Sequence, residues 1–145
     1  MNREKKGEQG FTLIEILAVL VLLAFILTML APAVIKQMQK GQVEAARSQI
    51  GVVKAALNAY YIDNGSYPAT EQGMKALIEK PSAPPVPERW DGPYLEDGKL
   101  PLDPWGHELK YQAPGTHNPK KYDLYSLGPD NKEGGDGLDA DIGNW

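Results

Sequence analysis

Residues 11–35 form an apolar run in which Glu15 is the one ionisable side chain, and no other feature limits what the chain can become so strongly. Wound as a helix, the run is about 37 Å long at about 1.5 Å per residue, enough to cross a hydrocarbon layer of roughly 30 Å. Arg3, Lys5 and Lys6 precede it, and Lys36 and Lys40 follow it. Positive charge on both sides leaves its orientation weakly specified. Three fates are open to such a segment. It is a plain membrane anchor, or a secretory signal removed at the small residues Ala31-Pro32-Ala33, or a segment kept after a polar leader, residues 1–10, is cut away in front of it.

Glu15 separates these fates. A carboxylate inside a spanning segment is costly and calls for a partner. A disposable signal gains nothing from it, whereas a helix that packs against copies of itself can pair it with a neighbour's cation. The one cation available at that depth is the α-amino group made by cutting before Phe11. Such an amine has a reference pKa of about 7.7–8.0 and is mostly protonated at neutral pH. Taken alone, Glu15 also fits an acid that snorkels to the membrane edge or stays protonated.

Gly10-Phe11-Thr12-Leu13-Ile14-Glu15 followed by an apolar helix resembles the class III signal of type IV pilins and pseudopilins. The resemblance implies that a prepilin peptidase cuts between Gly10 and Phe11 and methylates the new amine, and that Glu15 serves subunit docking.

Past the run, Val43, Ala46, Ile50, Val53, Leu57 and Tyr60 recur at spacings of 3, 4, 3, 4 and 3. That is one apolar stripe on a helix whose other face carries Lys40, Glu44, Arg47, Ser48 and Lys54. Asp63-Asn64-Gly65 places residues tolerant of left-handed backbone where the helix should stop. The pattern therefore predicts one long helix with a spanning half, residues 11–35, and an amphipathic half, residues 36–63. Pro32 withholds its N–H from the Thr28 carbonyl, which predicts a kink or local unwinding over residues 28–32. Pilins of the family carry a glycine midway along the spanning part, where this chain has Ala24 and Phe25.

Residues 64–145 read as a globular α/β region. Thr70 is expected to cap a short helix through Glu79, stopped by Pro81. The prolines from Pro81 to Pro93 make a stiff loop with Trp90 and Tyr94 as anchors. Residues 107–112 and 122–127 are expected as strands, with a third near residues 95–100. The fold class is α+β: a long N-terminal α-helix packed on a small antiparallel sheet. Asp63-Asn64-Gly65-Ser66-Tyr67-Pro68-Ala69-Thr70-Glu71-Gln72-Gly73, Leu102-Asp103-Pro104-Trp105-Gly106, Asp123-Leu124-Tyr125-Ser126-Leu127-Gly128 and Asp141-Ile142-Gly143-Asn144-Trp145 are similar to the major pseudopilins of type II secretion systems, and the likeness runs from Gly10 to Trp145.

The net charge of −4 is concentrated at the far end. Residues 127–145 hold Asp130, Glu133, Asp136, Asp139 and Asp141 against Lys132 alone, so the rest of the chain balances to zero. Crowded carboxylates with Gly134, Gly135 and Gly137 between them suit a hard cation taking six to eight oxygens, calcium rather than zinc; the alternative is a solvated acidic loop. An EF-hand ruler fails here, because Lys132 and Gly134 fall on ligand positions. A lone Gly-rich repeat cannot stack into a β-roll. The resemblance implies one structural calcium held by the Leu127 carbonyl and the carboxylates of Asp130, Asp139 and Asp141. Asp136 and the Leu138 carbonyl remain open as alternatives, and affinity is expected at about 10⁻⁴–10⁻³ M.

Other classes find little support. With no cysteine there is no disulfide scaffold or thiol nucleophile. Fifteen basic against nineteen acidic residues provide no basic surface for nucleic acid. His107 and His117 fall in turn-rich segments without a spacing partner, and no phosphate-cradling glycine loop is present. An enzyme is not expected. The resemblance instead implies a subunit that polymerises with itself into a periplasmic pseudopilus and supports export of folded proteins. Its implied partners are minor pseudopilins, the prepilin peptidase, an inner-membrane assembly platform with its ATPase, and an outer-membrane secretin. Its implied location is the bacterial inner membrane, single-pass, with the soluble part in the periplasm. Two alternatives stand beside it: a type IV pilin for adhesion, motility or DNA uptake, and a secreted calcium-binding module.

Overall fold

The structure, a computed structural model, describes residues 10–145. The leader expected over residues 1–10 lies, apart from Gly10, outside the described residues. The chain divides into two compact units, Met1–Met38 and Gln39–Trp145. Helix α1 (Leu13–Asn64) supplies all the regular structure of the first unit and the first element of the second.

In the first unit every residue from 10 to 38 is exposed, including Phe11, Leu20, Phe25 and Leu27. By length and composition this part of α1 is apolar enough to cross a membrane. Of the kink or local unwinding expected over residues 28–32, unwinding does not occur: α1 is continuous through Pro32. Losing one N–H costs a single rung of the ladder, and the Thr28 hydroxyl turns back onto the Phe25 carbonyl at 2.7 Å.

In the second unit the predicted stripe becomes the core. Ala46, Ile50, Val53, Leu57 and Tyr60 are buried, with Val43 at the margin. Asn64 ends the helix, and Gly65 at φ +76° donates its N–H to the Tyr61 carbonyl at 2.7 Å, a left-handed stop that glycine adopts without strain. The stripe packs with Leu124 and Ile142 from an antiparallel sheet, and with Leu109 and Tyr122 just ahead of two of its strands. Its strands are β1 (Lys110–Gln112), β2 (Asp123–Ser126) and β3 (Ile142–Gly143), in the order β1-β2-β3. Tyr111 faces Leu124 across the first pair, and Ser126 faces Ile142 across the second.

Two local expectations are corrected. Residues 95–100 form no strand: Leu95 is buried at a turn closed by the Gly98 N–H on the Leu95 carbonyl, with Gly98 at φ +57°. The third strand is Ile142–Gly143 instead. Thr70 caps nothing. Its hydroxyl exchanges hydrogen bonds with the backbone of Ala113, and the short helix is a 3-10 turn, Gly73–Leu77, opening at Gln72. Trp90 and Tyr94 do anchor the proline-rich loop, through the Trp90 indole N–H on the Ala76 carbonyl and the Tyr94 hydroxyl on Asp63.

Candidate functional site

Two sites were expected, one at each end. At the N-terminal end, α1 opens with a reciprocal cap. The Thr12 N–H donates to Glu15 Oε2 at 2.8 Å, and the Glu15 N–H donates to the Thr12 hydroxyl at 3.3 Å. This is the Thr-x-x-Glu capping box, in which two backbone N–H groups at the helix start are satisfied by side chains three residues apart. Thr12 is the residue that sequence reasoning missed, although the spacing was legible. Gly10 and Phe11 are exposed, and the Glu15 carboxylate lies on the exposed surface of an apolar rod.

At the other end, the acidic loop leaves β2 through buried Leu127 and through Gly128 at φ +70°. Asp130 is exposed and accepts the Lys132 N–H at 3.2 Å. Asp136 opens a single 3-10 turn, Gly137–Asp139. Asp141 is half-buried: its Oδ2 accepts the Gly134 N–H at 3.0 Å, while its buried Oδ1 makes no hydrogen bond among the described residues. Gly135, at φ +84°, lies so close to the Asp139 carbonyl that a Cβ would collide with it. Burial, followed by the charges of Glu133, Asp141 and Asp123, raises the Tyr125 phenol above its ordinary pKa, which registers the negative field of this loop.

This donor set fits a hard cation at one point. Asp141 Oδ1 is an oxygen removed from water without a donor, and such an atom calls for a cation or an N–H. The side chains of Asp130, Asp139 and Asp141 are not gathered: among the described residues no group of three or more acidic or histidine side chains is close enough to hold a metal.

The loop is flanked by two buried carboxylates that the sequence did not single out. Asp103 Oδ1 accepts the N–H groups of Trp105 and His107 at 3.0 and 2.8 Å, and its Oδ2 accepts the Ser126 hydroxyl at 2.6 Å. It ties the Asp-Pro-Trp-Gly turn to β2. Asp123 accepts four bonds, from the backbone and side chains of His117 and Asn118, at 2.7 to 3.2 Å. Burial works to raise the Asp123 pKa, but those four donors outweigh it and hold the carboxyl below its ordinary range. Gly115 passes so near Asp123 that a side chain there would strike the carboxylate. In the last motif, Ile142 enters the core and Asn144 bonds to the backbone of Tyr122 and Leu124. Trp145 stacks on the His117 ring, centroids 3.8 Å apart and planes within 12°.

Nothing in either site joins a nucleophile to a base, and comparison with known proteins agrees with a structural role. The family model for type II secretion system protein G matches residues 33–145, and the prokaryotic N-terminal methylation motif matches residues 5–31. The type II secretion system core protein G of Pseudomonas aeruginosa is 47% identical over 144 residues, covering 98% of each chain. That of Vibrio cholerae is 36% identical over 143 residues, covering 99% of this chain and 95% of the relative. The crystal structure of the major pseudopilin from the type 2 secretion system of enterohaemorrhagic Escherichia coli aligns with a TM-score of 0.65 at 35% identity, covering 77% of this chain and 92% of that one. A capped apolar rod, a small antiparallel domain and these relatives point one way: the chain belongs to the type II secretion system protein G family of pseudopilins.

Proposed function

We infer that the chain is the repeating subunit of a pseudopilus, and that it works as a building element rather than as an enzyme. The observation that carries this reading is an apolar-rich helix whose every residue from 13 to 38 is exposed, with a carboxylate in its first turn. Removal of residues 1–10 leaves Phe11 as the terminus, and its methylated amine, charged at neutral pH, meets Glu15 of an adjacent copy. The pair replaces a lone charge in a greasy bundle, where an unpaired ion is far more costly. Before assembly the rod resides in the inner membrane with the soluble unit in the periplasm. The prepilin peptidase, minor pseudopilins, assembly platform with its ATPase, and outer-membrane secretin are the partners of this reading.

Glu15→Gln isolates the docking charge from the cap, because glutamine also completes a capping box. We expect correct cleavage, an intact helix and at least tenfold fewer filaments. Filaments at the normal level would remove Glu15 from docking. Intact mass of the mature protein tests the rest: a species starting at methylated Phe11 is expected, and one starting at Val34 ends the reading.

We further propose that the C-terminal loop takes calcium through the Leu127 carbonyl, Asp130, Asp139 and Asp141, with Asp136 and the Leu138 carbonyl as the alternates. Asp141 Oδ1 supports this reading, as the one carboxylate oxygen among the described residues already buried and free of donors. The ion would supply the positive charge that lets these acids share one loop. A ligand at a hundred times its Kd adds about 2.7 kcal/mol of stability. A chelator should therefore lower the melting temperature of the wild type by several degrees and leave Asp141→Ala unmoved. An unchanged wild-type transition would exclude a structural cation.

A further inference from the structure

A chain of four tyrosine rings runs from the core of the second unit to its surface. Tyr111 lies against Tyr122 with centroids 5.8 Å apart, and Tyr122 meets Tyr67 edge-on at 4.7 Å. Tyr67 in turn stacks on Tyr61, with centroids 4.8 Å apart and planes at 30°. Tyr122 is buried, whereas Tyr61 at the outer end is 45% exposed. The left-handed stop at Gly65 makes the stack possible, because it turns the chain back until Tyr67 reaches a ring six residues earlier. The exposed ring is therefore a fixed platform and not a loose side chain.

Tyr61 and Tyr67 line an open cleft of about 440 Å³ together with Gly65, Ser66, Lys120 and Lys121. In a chain of net charge −4, Lys120-Lys121 is the one pair of consecutive bases outside the leader. Both are exposed and enter no ion pair among the described residues. The Lys121 N–H on the Asn118 carbonyl at 3.0 Å holds the turn that presents them. Asp123, two residues on, is buried and turns its oxygens to His117 and Asn118 instead. The cleft thus combines a rigid aromatic floor, two unpaired ammonium groups and the hydroxyls of Tyr61 and Ser66. Each part suits one feature of an acidic sugar. A pyranose lays its weakly positive C–H groups on the electron-rich face of an aromatic ring. Ammonium groups take its carboxylates, and hydroxyls exchange hydrogen bonds with its own. A floor already held in place loses little freedom on binding.

We propose that this cleft is a binding site for an acidic glycan, with an N-acetylhexosamine ring on Tyr61 and the carboxylates that it carries on Lys120 and Lys121. The inference rests on the periplasmic placement proposed above, which supplies the ligand: the cell-wall glycan, a polymer of N-acetylated hexosamines bearing lactyl and peptide carboxylates. An open cleft admits a strand lying across it, where an enclosed cavity would select a small molecule. The lysines are in water, so the contact is reversible and weakened by salt. An acidic peptide shares the charge of this ligand, and a nucleic acid strand shares both charge and a stacking face. Neither offers the hexosamine hydroxyls, and each is an arm of the test.

The test uses the full chain in a neutral detergent and fluorescent cell-wall fragments released by lysozyme, with anisotropy as the readout. Unlabelled competitors then sort the chemistry. Wall fragments should compete at least tenfold better than chitotetraose, which keeps the hexosamine without the carboxylates. They should exceed poly-glutamate and oligothymidylate, which keep the charge without the hexosamine, by the same margin. Tyr61→Ala should weaken binding at least tenfold, whereas Tyr61→Phe, which preserves the platform, should stay within about threefold of wild type. Lys120→Glu with Lys121→Glu should also weaken binding at least tenfold and melt with the wild type, since both side chains are exposed. Added salt should weaken the wild type and leave this lysine variant nearly unmoved. No binding by the wild type, equal competition from any of the three control polymers, or unchanged binding by Tyr61→Ala or by the lysine variant overturns the site. These measurements use purified protein, so their failure leaves the filament reading standing, and Glu15→Gln tests that reading separately.

Discussion

The two units solve the same problem, apolar surface in water, by opposite means. In the second unit the stripe of α1 is covered by the chain's own sheet, so Leu57, Val53 and Leu124 reach zero exposure. In the first unit nothing among the described residues covers Leu13, Leu20 or Leu27, which remain 89%, 58% and 65% exposed. One α-helix thus carries residues whose stability is intramolecular and residues whose stability must come from lipid or from other copies. Folding of the soluble unit and sheltering of the rod are separate thermodynamic events, and each should answer to different mutations.

The largest contrast is expected from leucine truncation. Leu57→Ala should destabilise the soluble unit by about 2–5 kcal/mol, the cost of removing buried methyl groups and leaving a cavity. Leu20→Ala, on the bare rod, should leave the same transition unmoved; a shared loss would show that the two units do not melt separately. Thermal denaturation of both variants in detergent decides it.

Next comes the clasp at Asp123. Asp123→Ala leaves the N–H groups of His117 and Asn118 without their acceptor and should cost about 2–3 kcal/mol at neutral pH. The sign with pH follows from the lowered carboxyl. Its contribution is complete above the unfolded value of about 3.9 and is lost as pH falls through the lower folded value. The gap between wild type and Asp123→Asn should therefore narrow in acid. A gap that stays constant would assign the role to packing alone.

The smallest effect is alkaline. Burial, with the neighbouring Tyr67, pushes the Tyr122 phenol up to about 12. Its neutral form stabilises the fold fully below the unfolded value of about 10, and that stability drains away as pH rises through 12. Tyr122→Phe should flatten this part of the pH profile of the soluble unit while leaving the rod's helicity unchanged.

Much of this was legible because periodicity is a direct image of burial. The 3–4 spacing from Val43 to Tyr60 marked the core face, and Asp63-Asn64-Gly65 marked the helix end. What escaped was long-range hydrogen bonding. Nothing local distinguishes Asp103, which holds Ser126 from 23 residues away, from any aspartate in a turn before proline. Thr70 looked like a cap until Ala113, 43 residues on, claimed its hydroxyl. The third strand was misplaced for a related reason: Ile142–Gly143 is too short for alternation to show, and it exists because Tyr125 and Ser126 offer it an edge. At the acidic loop the residue types were readable, but composition does not say which acids converge, and Asp141 alone sits with a buried free oxygen.

The face-to-face stack of Trp145 on His117 turns the end of the described chain into an optical probe. Trp90 is fixed far along the sequence by its bond to Ala76, and Trp105 sits in the turn held by Asp103, so the three indoles report on different parts of the soluble unit. An imidazole in van der Waals contact quenches indole emission, and β3 follows the acidic loop directly. Loosening of that loop should thus brighten Trp145 and leave Trp90 dark to the event, so that in a Trp105→Phe variant light alone tells local release from global melting.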